Sequence, residues 1–420
     1  MNGQKAKLVV AAILAVCLAF ALAAVSYYFP PYPESAFQTT PQFMVYTPIS
    51  LPPIYIRDDG TVDPPVDALQ QTGNAYTFTG NIVNHTLVVQ RDNIVINGTG
   101  HALIGYAQNN IAKGTVGIVI CCRRNVTITD LNVERYVFSI NITSSSDIFI
   151  KNNKLDSQWL LIDSSTNNTI IENTIIGGIQ ITKSANNIFA KNKITNAIDG
   201  IFLCGSSFNT VKENILENCD CAILIQGTYE NVLNNQVING RVGIAVEGSH
   251  NKIFQNDIRE NSEAGISVNL GNNNILYENI IENNKYGVII GFTYNLNAEN
   301  NTFYYNDFLN NAQNVLIRIG NFTNFWDNGK DGNYWSDYKG VDSNNDGIGD
   351  APYIISESNQ DRYPLIAPRE NQKPQSNQLF WIYLGINLTA IFGVIACILY
   401  IGIVRYAKHR SNSAKIIKEQ

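Results

Sequence analysis

Charged residues are scarce in this chain. Only 15% of its 420 residues are Asp, Glu, Lys or Arg, and the formal net charge is -6. Because 45% of the residues are hydrophobic, the composition excludes an intrinsically disordered chain. The lack of a positive excess also excludes a strongly basic nucleic-acid-binding protein. We therefore expect a folded protein that does not bind nucleic acid.

Ligands for soft metals are few. The sequence has four histidines, two methionines and seven cysteines, and two of the cysteines lie in long apolar runs near the chain ends. The other five are Cys121, Cys122, Cys204, Cys219 and Cys221. An odd number cannot pair completely within one chain. Because no histidine is near the last three in sequence, a disulfide or buried thiols are favoured over a zinc site.

Two residue types are abundant, since Asn occurs 56 times and Ile 55 times. Such a bias predicts an internal repeat. A unit of Asn, a short strand, a turn and a second strand of the type Gly-Ile-x-Ile recurs every 19 to 22 residues, with one longer final step. The second strand begins at Gly117, Val137, Trp159, Gly178, Gly200, Ala222, Gly243, Gly265, Gly287 and Asn314. The turn Asn recurs at Asn153, Asn173, Asn192, Asn214, Asn235, Asn256, Asn279 and Asn306.

This period predicts an all-β fold, a right-handed single-stranded parallel β-helix of about eleven coils. Short strands at this spacing are too short for a propeller blade. Ile179 and Ile181, with their equivalents in each coil, are expected to point inward and stack. Asn suits the turns because it tolerates the left-handed conformation, and its amide can bond the Asn one coil along. Gly at the strand start avoids a β-carbon at the corner.

Two uncharged runs flank the chain, at residues 8–29 after Lys5 and Lys7 and at residues 379–404 before a basic tail. Each is long enough to cross a hydrocarbon core of roughly 30 Å. The flanking basic residues predict that both ends lie in the cytoplasm and the middle outside. An uncleaved anchor is favoured for the first run, although Ala21-Leu22-Ala23 is also a plausible signal-peptide cleavage site.

These features predict seven segments. They are an N-terminal anchor or signal peptide (1–29), a Pro-rich extended segment (30–75), the β-helix (76–320), an aromatic cap with a calcium-like loop (321–368), a linker (369–378), a transmembrane helix (379–404) and a basic cytoplasmic tail (405–420). Seven Asn-x-Ser/Thr sequons are glycosylation candidates, at Asn84, Asn97, Asn125, Asn141, Asn167, Asn300 and Asn321.

A calcium-like loop lies near the C-terminal end of the repeats. Oxygen ligands alternate as in an EF-hand-like loop, with Gly347 at the sixth position and the carbonyl of Ile348 at the seventh. The twelfth position is Tyr353 instead of a bidentate Glu, so Asp361 is a candidate for the missing oxygens. The predicted ligands are Asp342, Asn344, Asp346, Ile348, Asp350 and Asp361. The alternative is a plain Asp/Asn/Gly-rich turn. Calcium is expected to clamp a cap of aromatic residues over the last coil.

A row of alternating charges precedes the second strand of four coils: Asp220, Arg241, Glu263 and Lys285. We interpret the row as a structural ion ladder. The alternative is a polysaccharide lyase site, in which carboxylates hold an acidic sugar and a base takes its proton. A lyase needs several converging acids, whereas each acid here is flanked by a base. No catalytic residue is therefore assigned, although Asp199 beside Asp220 is a pair to examine.

The repeat resembles that of carbohydrate-binding and sugar-hydrolase β-helices, with a pectate-lyase-like solenoid, and most closely that of the NosD-like periplasmic β-helix family. The likeness covers residues 54–365 and includes the segments at 89–101, 333–338, 342–350 and 361–365. Archaeal surface proteins look similar. The family is named for copper processing during nitrous-oxide reductase maturation. A dedicated copper carrier is not expected here, because His85, His101, His250 and Met44 are scattered in the sequence.

The sequence thus predicts a membrane-anchored, extracytoplasmic β-helix that acts as a recognition or scaffold module, with polysaccharide as the expected ligand. That ligand is implied by the resemblance and by no located site. Two alternatives stay open. One is an enzyme acting on acidic polysaccharide, as a lyase or epimerase. The other is a partner of a membrane transporter that takes part in copper processing.

Overall fold

The structure, a computed structural model, describes residues 51–105, 115–291, 298–318 and 322–369. Within these ranges the chain forms 36 β-strands and no α-helix. The N-terminal strands are β1 (Pro53–Ile56), β2 (Val62–Asp63), β3 (Leu69–Thr72), β4 (Ala75–Phe78), β5 (Ile82–Val83), β6 (Thr86–Val89), β7 (Ile94–Asn97), β8 (Ala102–Ile104) and β9 (Val116–Cys121).

The strands of the regular repeats follow. They are β10 (Val126–Thr129), β11 (Asn132–Thr143), β12 (Phe149–Lys151), β13 (Lys154–Asp163), β14 (Thr169–Ile171), β15 (Thr174–Thr182), β16 (Ile188–Ala190), β17 (Lys193–Thr195), β18 (Asp199–Cys204), β19 (Thr210–Lys212), β20 (Ile215–Glu217), β21 (Cys221–Ile225), β22 (Asn231–Leu233), β23 (Gln236–Ile238), β24 (Val242–Val246), β25 (Lys252–Phe254), β26 (Asp257–Arg259), β27 (Ala264–Val268), β28 (Ile275–Tyr277), β29 (Ile280–Glu282), β30 (Tyr286–Ile290), β31 (Thr302–Tyr304), β32 (Asp307–Leu309) and β33 (Gln313–Ile317). Three strands of the C-terminal cap complete the set: β34 (Tyr334–Trp335), β35 (Tyr353–Ser356) and β36 (Asn359–Asp361).

The strands wind into a solenoid because nearly every strand pairs in parallel with the strand one repeat later. A twelve-stranded sheet contains the strand that opens each turn, and a 22-stranded sheet contains most of the others. This arrangement confirms the predicted all-β solenoid of the right-handed type. About nine turns, from β10 to β33, repeat regularly. The predicted number of about eleven coils is therefore too high. The turns before β10 are less regular, because β3 and β4 pair antiparallel.

The core is a set of stacked apolar rows. Ile179 pairs with Ile201 of the next coil, and both are 0% exposed, as is Ile181. The predicted inward stacking is therefore confirmed. Glycine at the strand start is explained at Gly200, where a β-carbon would lie 2.5 Å from the carbonyl oxygen of Ala222 in the next coil. Adjacent coils are thus so close at this corner that most second strands begin with glycine, which has no β-carbon.

Buried rows of asparagine satisfy the backbone at the turns. In the first row, the N and Nδ2 of Asn192 both donate to Oδ1 of Asn214, at 2.9 and 3.0 Å. This confirms the predicted bond between Asn residues of adjacent coils. The first row contains Asn153, Asn173, Asn192, Asn214, Asn235, Asn256, Asn279, Asn306 and Asn333. A second row contains Asn168, Asn187, Asn209, Glu230, Asn251, Asn274, Asn301 and Asn324.

The solenoid begins earlier than predicted. We expected an extended segment up to residue 75, but β1 pairs in parallel with β6, and Ile54 and Ile56 are 0% exposed. These two isoleucines cover the open end of the first coil, which would otherwise expose an apolar core and an unpaired strand edge. Pro53 is tolerated because it is the first residue of an edge strand.

The other end of the solenoid is closed by aromatic rings. Trp326 stacks on Phe303, and Trp335 stacks on Phe308, with ring centroids 4.3 Å apart in both pairs. Tyr353 of β35 stacks in turn on Trp335 at 4.2 Å. Both tryptophans are almost fully buried. The aromatic residues predicted to form a plug therefore lie over the last coil and extend its core.

The predicted membrane runs, residues 8–29 and 379–404, lie outside the described residues, as does the proline-rich part before residue 51. Within the described ranges no helix is long and apolar enough to span a bilayer.

Candidate functional site

A row of exposed aromatic side chains crosses three successive coils beside the twelve-stranded sheet. Phe208, Tyr229 and His250 each lie two residues before a strand of that sheet, β19, β22 and β25. Their ring centroids are 5.2 Å apart in both neighbouring pairs, with interplanar angles of 7° and 25°. Phe208 is 55% exposed and Tyr229 49% exposed. The three stacked rings, which we call the aromatic row, present their edges to solvent as a narrow apolar strip.

The backbone of the aromatic row is in the left-handed region, with φ of 58° at Phe208, 58° at Tyr229 and 62° at His250. A bulky residue is unusual in this conformation, which Asn, Asp and Gly adopt most readily. Other coils indeed place Asn at the equivalent turn position, at Asn167, Asn186, Asn273 and Asn300. Strained residues of this kind cost free energy and tend to occur at functional sites. Phe and Tyr thus replace the Asn of the equivalent turns, although large residues such as Lys191, Glu213 and Tyr305 adopt the same conformation in other turns of the solenoid.

A second stack continues on the next coils. Phe254, Tyr277 and Tyr304 occupy the last position of β25, β28 and β31, with centroids 4.8 and 5.2 Å apart. These rings are half-buried, and burial raises the pKa of Tyr277 and of Tyr304. Arg369 lies against the neighbouring Tyr305 ring, 4.2 Å from its centroid. Together the two stacks place aromatic rings on five successive coils.

The predicted ion ladder is present with one change of partner. Arg241 donates from Nε and Nη2 to both carboxylate oxygens of Asp220, at 2.8 and 3.0 Å, and from Nη1 to Glu263 at 2.5 Å. The next basic partner of Glu263 is Arg318, at 3.0 Å. We predicted Lys285 there, but its ammonium lies over the ring of Tyr286, 5.3 Å from the centroid.

Asp199 lies next to the ion ladder, and its environment differs from that of the acids in the ladder. Burial, together with the nearby carboxylates of Asp220 and Glu247, raises the pKa of Asp199 to about 6. Asp220 is held in an ion pair by Arg241, whereas Asp199 is half-buried beside it at the start of β18. A partly buried acid with a raised pKa beside a second carboxylate is an arrangement that acid–base catalysis uses. The structure thus keeps the enzyme alternative open at this point.

The predicted calcium-like loop forms a series of turns, in which carboxylate oxygens accept backbone N–H groups. Both oxygens of Asp342 accept backbone N–H groups, from Asp346 at 3.2 Å and Gly347 at 2.9 Å. Oδ1 of Asp346 accepts the N–H of Ile348 at 2.9 Å, and Oδ2 of Asp350 accepts from Ser343. Among the described residues no three His, Cys, Asp or Glu side chains converge in a metal-binding group.

Asp361 has partners other than the ones predicted for it. Its Oδ2 accepts the N–H of Asn333 at 2.7 Å and the indole N–H of Trp335 at 2.8 Å, and its Oδ1 accepts the N–H of Tyr363. The residue is fully buried, and burial raises its pKa to about 6. Asp361 therefore ends the first asparagine row and fixes the cap to it. A calcium loop would have to rely on the other five predicted ligands.

The sequons differ in exposure. Asn84, Asn125, Asn167 and Asn300 are exposed, and each is in the left-handed conformation of a turn. Asn97 and Asn141 are half-buried, and Oδ1 of Asn141 accepts the hydroxyl of Thr143 at 2.8 Å. Asn321 lies outside the described residues. Glycosylation at the four exposed positions stays a prediction.

Four of the five cysteines among the described residues form two groups. Cys219 and Cys221 are buried, and burial raises the pKa of both thiols. The Sγ atom of Cys219 contacts the carbonyl of Glu217, and that of Cys221 contacts the carbonyl of Ile223, each at 3.6 Å. These thiols are therefore structural, which agrees with one of the two interpretations favoured from the sequence. Cys121 and Cys122 lie at the surface, in contact with each other.

The aromatic row was missed by the sequence reasoning, although a signal existed. Phe208, Tyr229 and His250 are spaced by 21 residues, which is the period of the repeat in this part of the chain. An alignment of the outward turn positions by this period therefore brings the three aromatic residues into one column.

Comparison with protein families and curated proteins gives two matches. The family described as "Periplasmic copper-binding protein (NosD)" matches residues 74–232 and 177–340. A curated relative, "Probable ABC transporter binding protein NosD" from Stutzerimonas stutzeri, is 36% identical over 97 residues, which is 22% of this chain. The match also spans only 22% of the length of that relative.

Comparison with solved structures gives likenesses at low identity. The A-module of the mannuronan C-5 epimerase AlgE6 from Azotobacter vinelandii has a TM-score of 0.48 at 12% identity, over 60% of this chain and 87% of that one. The catalytic domain of a GH87 α-1,3-glucanase in complex with nigerose has a TM-score of 0.47 at 14% identity, over 61% of each chain.

Proposed function

Because the chain belongs to the NosD family of periplasmic copper-binding proteins, whose β-helical repeats it shares, we propose that it is an extracytoplasmic recognition module that binds a polysaccharide chain along the aromatic row. The observation that carries the proposal is the exposed stack of Phe208, Tyr229 and His250 in left-handed turns. Exposed apolar surface of this kind marks binding sites, and aromatic rings with polar surroundings suit ligands that are partly apolar and partly hydroxylated.

The surroundings of the row support an extended polymer as the ligand. The rings follow the solenoid axis from coil to coil, and the second stack of Phe254, Tyr277 and Tyr304 extends the aromatic surface over two further coils. Both stacks flank the outer face of the twelve-stranded sheet, which also carries hydrogen-bonding side chains such as Lys252 and Thr210. A repeating ligand can therefore make similar contacts with successive coils, which is how solenoids commonly bind.

Replacing Tyr229 by asparagine is expected to weaken polysaccharide binding about tenfold, which corresponds to about 1.4 kcal/mol. The substitution interrupts the strip at its centre. Asn is the residue that other coils use in this turn, so the fold should be unaffected. The measurement is the affinity of the full-length protein for immobilised acidic and neutral polysaccharides. Phe149→Ala is the matched control, because Phe149 is 37% exposed beside the same sheet but lies outside both stacks. Equal binding by the wild-type and Tyr229→Asn proteins would contradict the proposal.

The enzyme alternative is tested in the same incubation. Asp199, with its raised pKa beside the ion-paired Asp220, is the observation that favours it. A lyase, hydrolase or epimerase would change its substrate, so the mass and the sugar composition of the polysaccharide are measured after incubation. A product of altered mass or altered uronate composition would identify an enzyme. Binding without either change would support the recognition module.

The described residues do not fit a copper site of three or more ligands. Copper prefers sulfur and imidazole donors. His85 and His101 flank β5 and β8, which pair on adjacent coils, and His250 lies on a coil much farther along the solenoid. Among the described residues no group of three or more His, Cys, Asp or Glu side chains converges. No step of the proposed function therefore uses copper. Association with a membrane transporter is the remaining alternative, suggested by the description of the relative, and co-purification with transporter subunits would favour it.

Calcium is expected to stabilise the cap through the loop of Asp342, Asn344, Asp346, Ile348 and Asp350. The alternating oxygens and the turn at Gly347, with φ of 88°, support this proposal. We expect calcium to raise the melting temperature of the full-length protein by several degrees, because a bound ion stabilises only the folded state. Chelator should reverse the rise, and Asp346→Ala should abolish it. A melting temperature that does not change with calcium would contradict the proposal.

A further inference from the structure

Two adjacent cysteines contact each other at the surface of the second coil. Cys121 is the last residue of β9, and Cys122 follows it in the left-handed region, with φ of 59°. Their Sγ atoms are 3.4 Å apart. Cys122 is exposed and Cys121 is half-buried. The two thiols are thus already in contact and reachable from solvent.

The backbone around the pair is held by hydrogen bonds. The N–H of Cys122 donates to the carbonyl of Thr143 in the next coil at 3.0 Å. The guanidinium of Arg123 donates to the carbonyls of Cys121 and Gln90, at 3.1 and 3.0 Å. These bonds fix both Cα positions and use no sulfur atom. The side chains can therefore react while the coil keeps its structure.

The other described cysteines lack this combination. Cys219 and Cys221 are buried and face backbone carbonyls, and burial raises the pKa of Cys204, which lies on a different coil from the pair. Buried thiols with raised pKa values are unreactive. Reactivity is thus expected at Cys121 and Cys122 in preference to the other three.

We propose that Cys121 and Cys122 form a vicinal dithiol that closes reversibly to a disulfide. The oxidant is an organic disulfide, such as glutathione disulfide. The thiolate of Cys122 attacks one sulfur of the oxidant, whose other sulfur leaves as a thiolate. The thiolate of Cys121 then attacks Sγ of Cys122, the intramolecular disulfide forms, and the second half of the oxidant leaves as a thiolate. The two leaving thiolates take up the two protons that Cys121 and Cys122 release, so one disulfide is formed in the protein and one is reduced to two thiols.

The product is expected to be readily reduced. The Cα atoms of consecutive residues are about 3.8 Å apart, whereas the Cα atoms joined by ordinary disulfides are about 4.4 to 6.8 Å apart. A bond closed at this short spacing is strained, and strained or exposed disulfides are labile ones. Because the family is periplasmic, the pair is expected in a compartment where disulfides form. The site is independent of the proposed polysaccharide binding, since it lies five coils from Phe208.

The experiment uses mass spectrometry of the full-length protein after treatment with glutathione disulfide and alkylation of the remaining thiols. Trypsin releases residues 114–123, a peptide that contains both cysteines and no other. We expect this peptide to be unalkylated and two hydrogen atoms lighter than the reduced form. Brief treatment with reduced glutathione should restore double alkylation.

Three variants separate the possible outcomes. Cys121→Ser and Cys122→Ser should each lose the two-hydrogen shift and keep a glutathione adduct on the remaining thiol, because the second thiol is absent. Cys204→Ser should behave like the wild type. The proposal is overturned if the wild-type peptide stays doubly alkylated, carries two glutathione groups, or is joined to a peptide containing another cysteine.

Discussion

Replacing Asn214 by alanine is expected to lower the free energy of unfolding by about 4 kcal/mol. The side chain is 1% exposed. Its Oδ1 accepts two hydrogen bonds from Asn192, and its Nδ2 donates to the carbonyl of Phe189 at 2.9 Å and to Oδ1 of Asn235 at 3.0 Å. Alanine would leave these buried groups without partners, and each unsatisfied group costs about 1–3 kcal/mol.

The measurement is chemical denaturation of the full-length protein, followed by circular dichroism. Thr210→Ala is the matched control, because Thr210 points outward on the same coil and is only half-buried. The control should change the free energy of unfolding by about 0.5 kcal/mol or less, as most surface substitutions do. If Asn214→Ala were as stable as the control, the asparagine row would contribute little to the fold, and the apolar rows alone would hold the coils together.

The fold could be predicted because the same sequence pattern recurs from coil to coil. The period of Asn and of Gly-Ile-x-Ile is visible in the sequence, and the structure places Ile179 and Asn214 where the period predicts. The N-terminal part could not be predicted in this way. Residues 53–75 contain several prolines, and prolines argue against strands. Pro53 nevertheless opens a strand, β1, which covers the first coil.

The second asparagine row was not recognised, for a related reason. Its members follow the same period, but Glu230 occupies one position, and the spacing varies between 19 and 27 residues. A pattern that tolerates one substitution and unequal spacing is difficult to distinguish from the general abundance of Asn. The aromatic row has only three members, so no pattern common to all coils predicts it. The hydrogen-bond partners of Asp361 were not predicted, because the sequence does not show that a carboxylate far along the chain is buried.

The free energy of unfolding is expected to fall as the pH rises from about 4.5 to about 7, because of Glu230. This residue is fully buried, and burial raises its pKa to about 7. The folded protein therefore keeps the proton up to about pH 7, whereas the unfolded chain releases it near the ordinary glutamate pKa of 4.5. In this interval the unfolded state binds fewer protons than the folded state, so stability decreases with increasing pH. The full effect of this shift is about 3 kcal/mol.

The site around Glu230 shows why a carboxyl can occupy a position that Asn holds in most other coils. Its Oε1 accepts the hydroxyl of Ser206 at 3.0 Å, and its Oε2 accepts the N–H of Asn209 at 2.6 Å. The longer side chain needs space beside Gly227, where a β-carbon would lie 2.4 Å from Oε1. None of the ion pairs among the described residues includes Glu230, so hydrogen bonds alone compensate its burial.

Glu230→Gln is expected to raise the free energy of unfolding at pH 8 by about 3 kcal/mol and to leave it unchanged at pH 4, because the amide carries no charge at either pH. The measurement is denaturant unfolding of both proteins across this range. Asp361, whose pKa burial raises to about 6, is unaltered, so the variant should still lose stability between about pH 4 and 6. Between about pH 4.5 and 6 the decrease should be smaller than in the wild type, and between about pH 6 and 7 it should disappear. A variant whose pH profile stays parallel to that of the wild type would mean that Glu230 is ionised in the folded protein, and that the three hydrogen bonds its carboxylate accepts suffice to hold a buried charge.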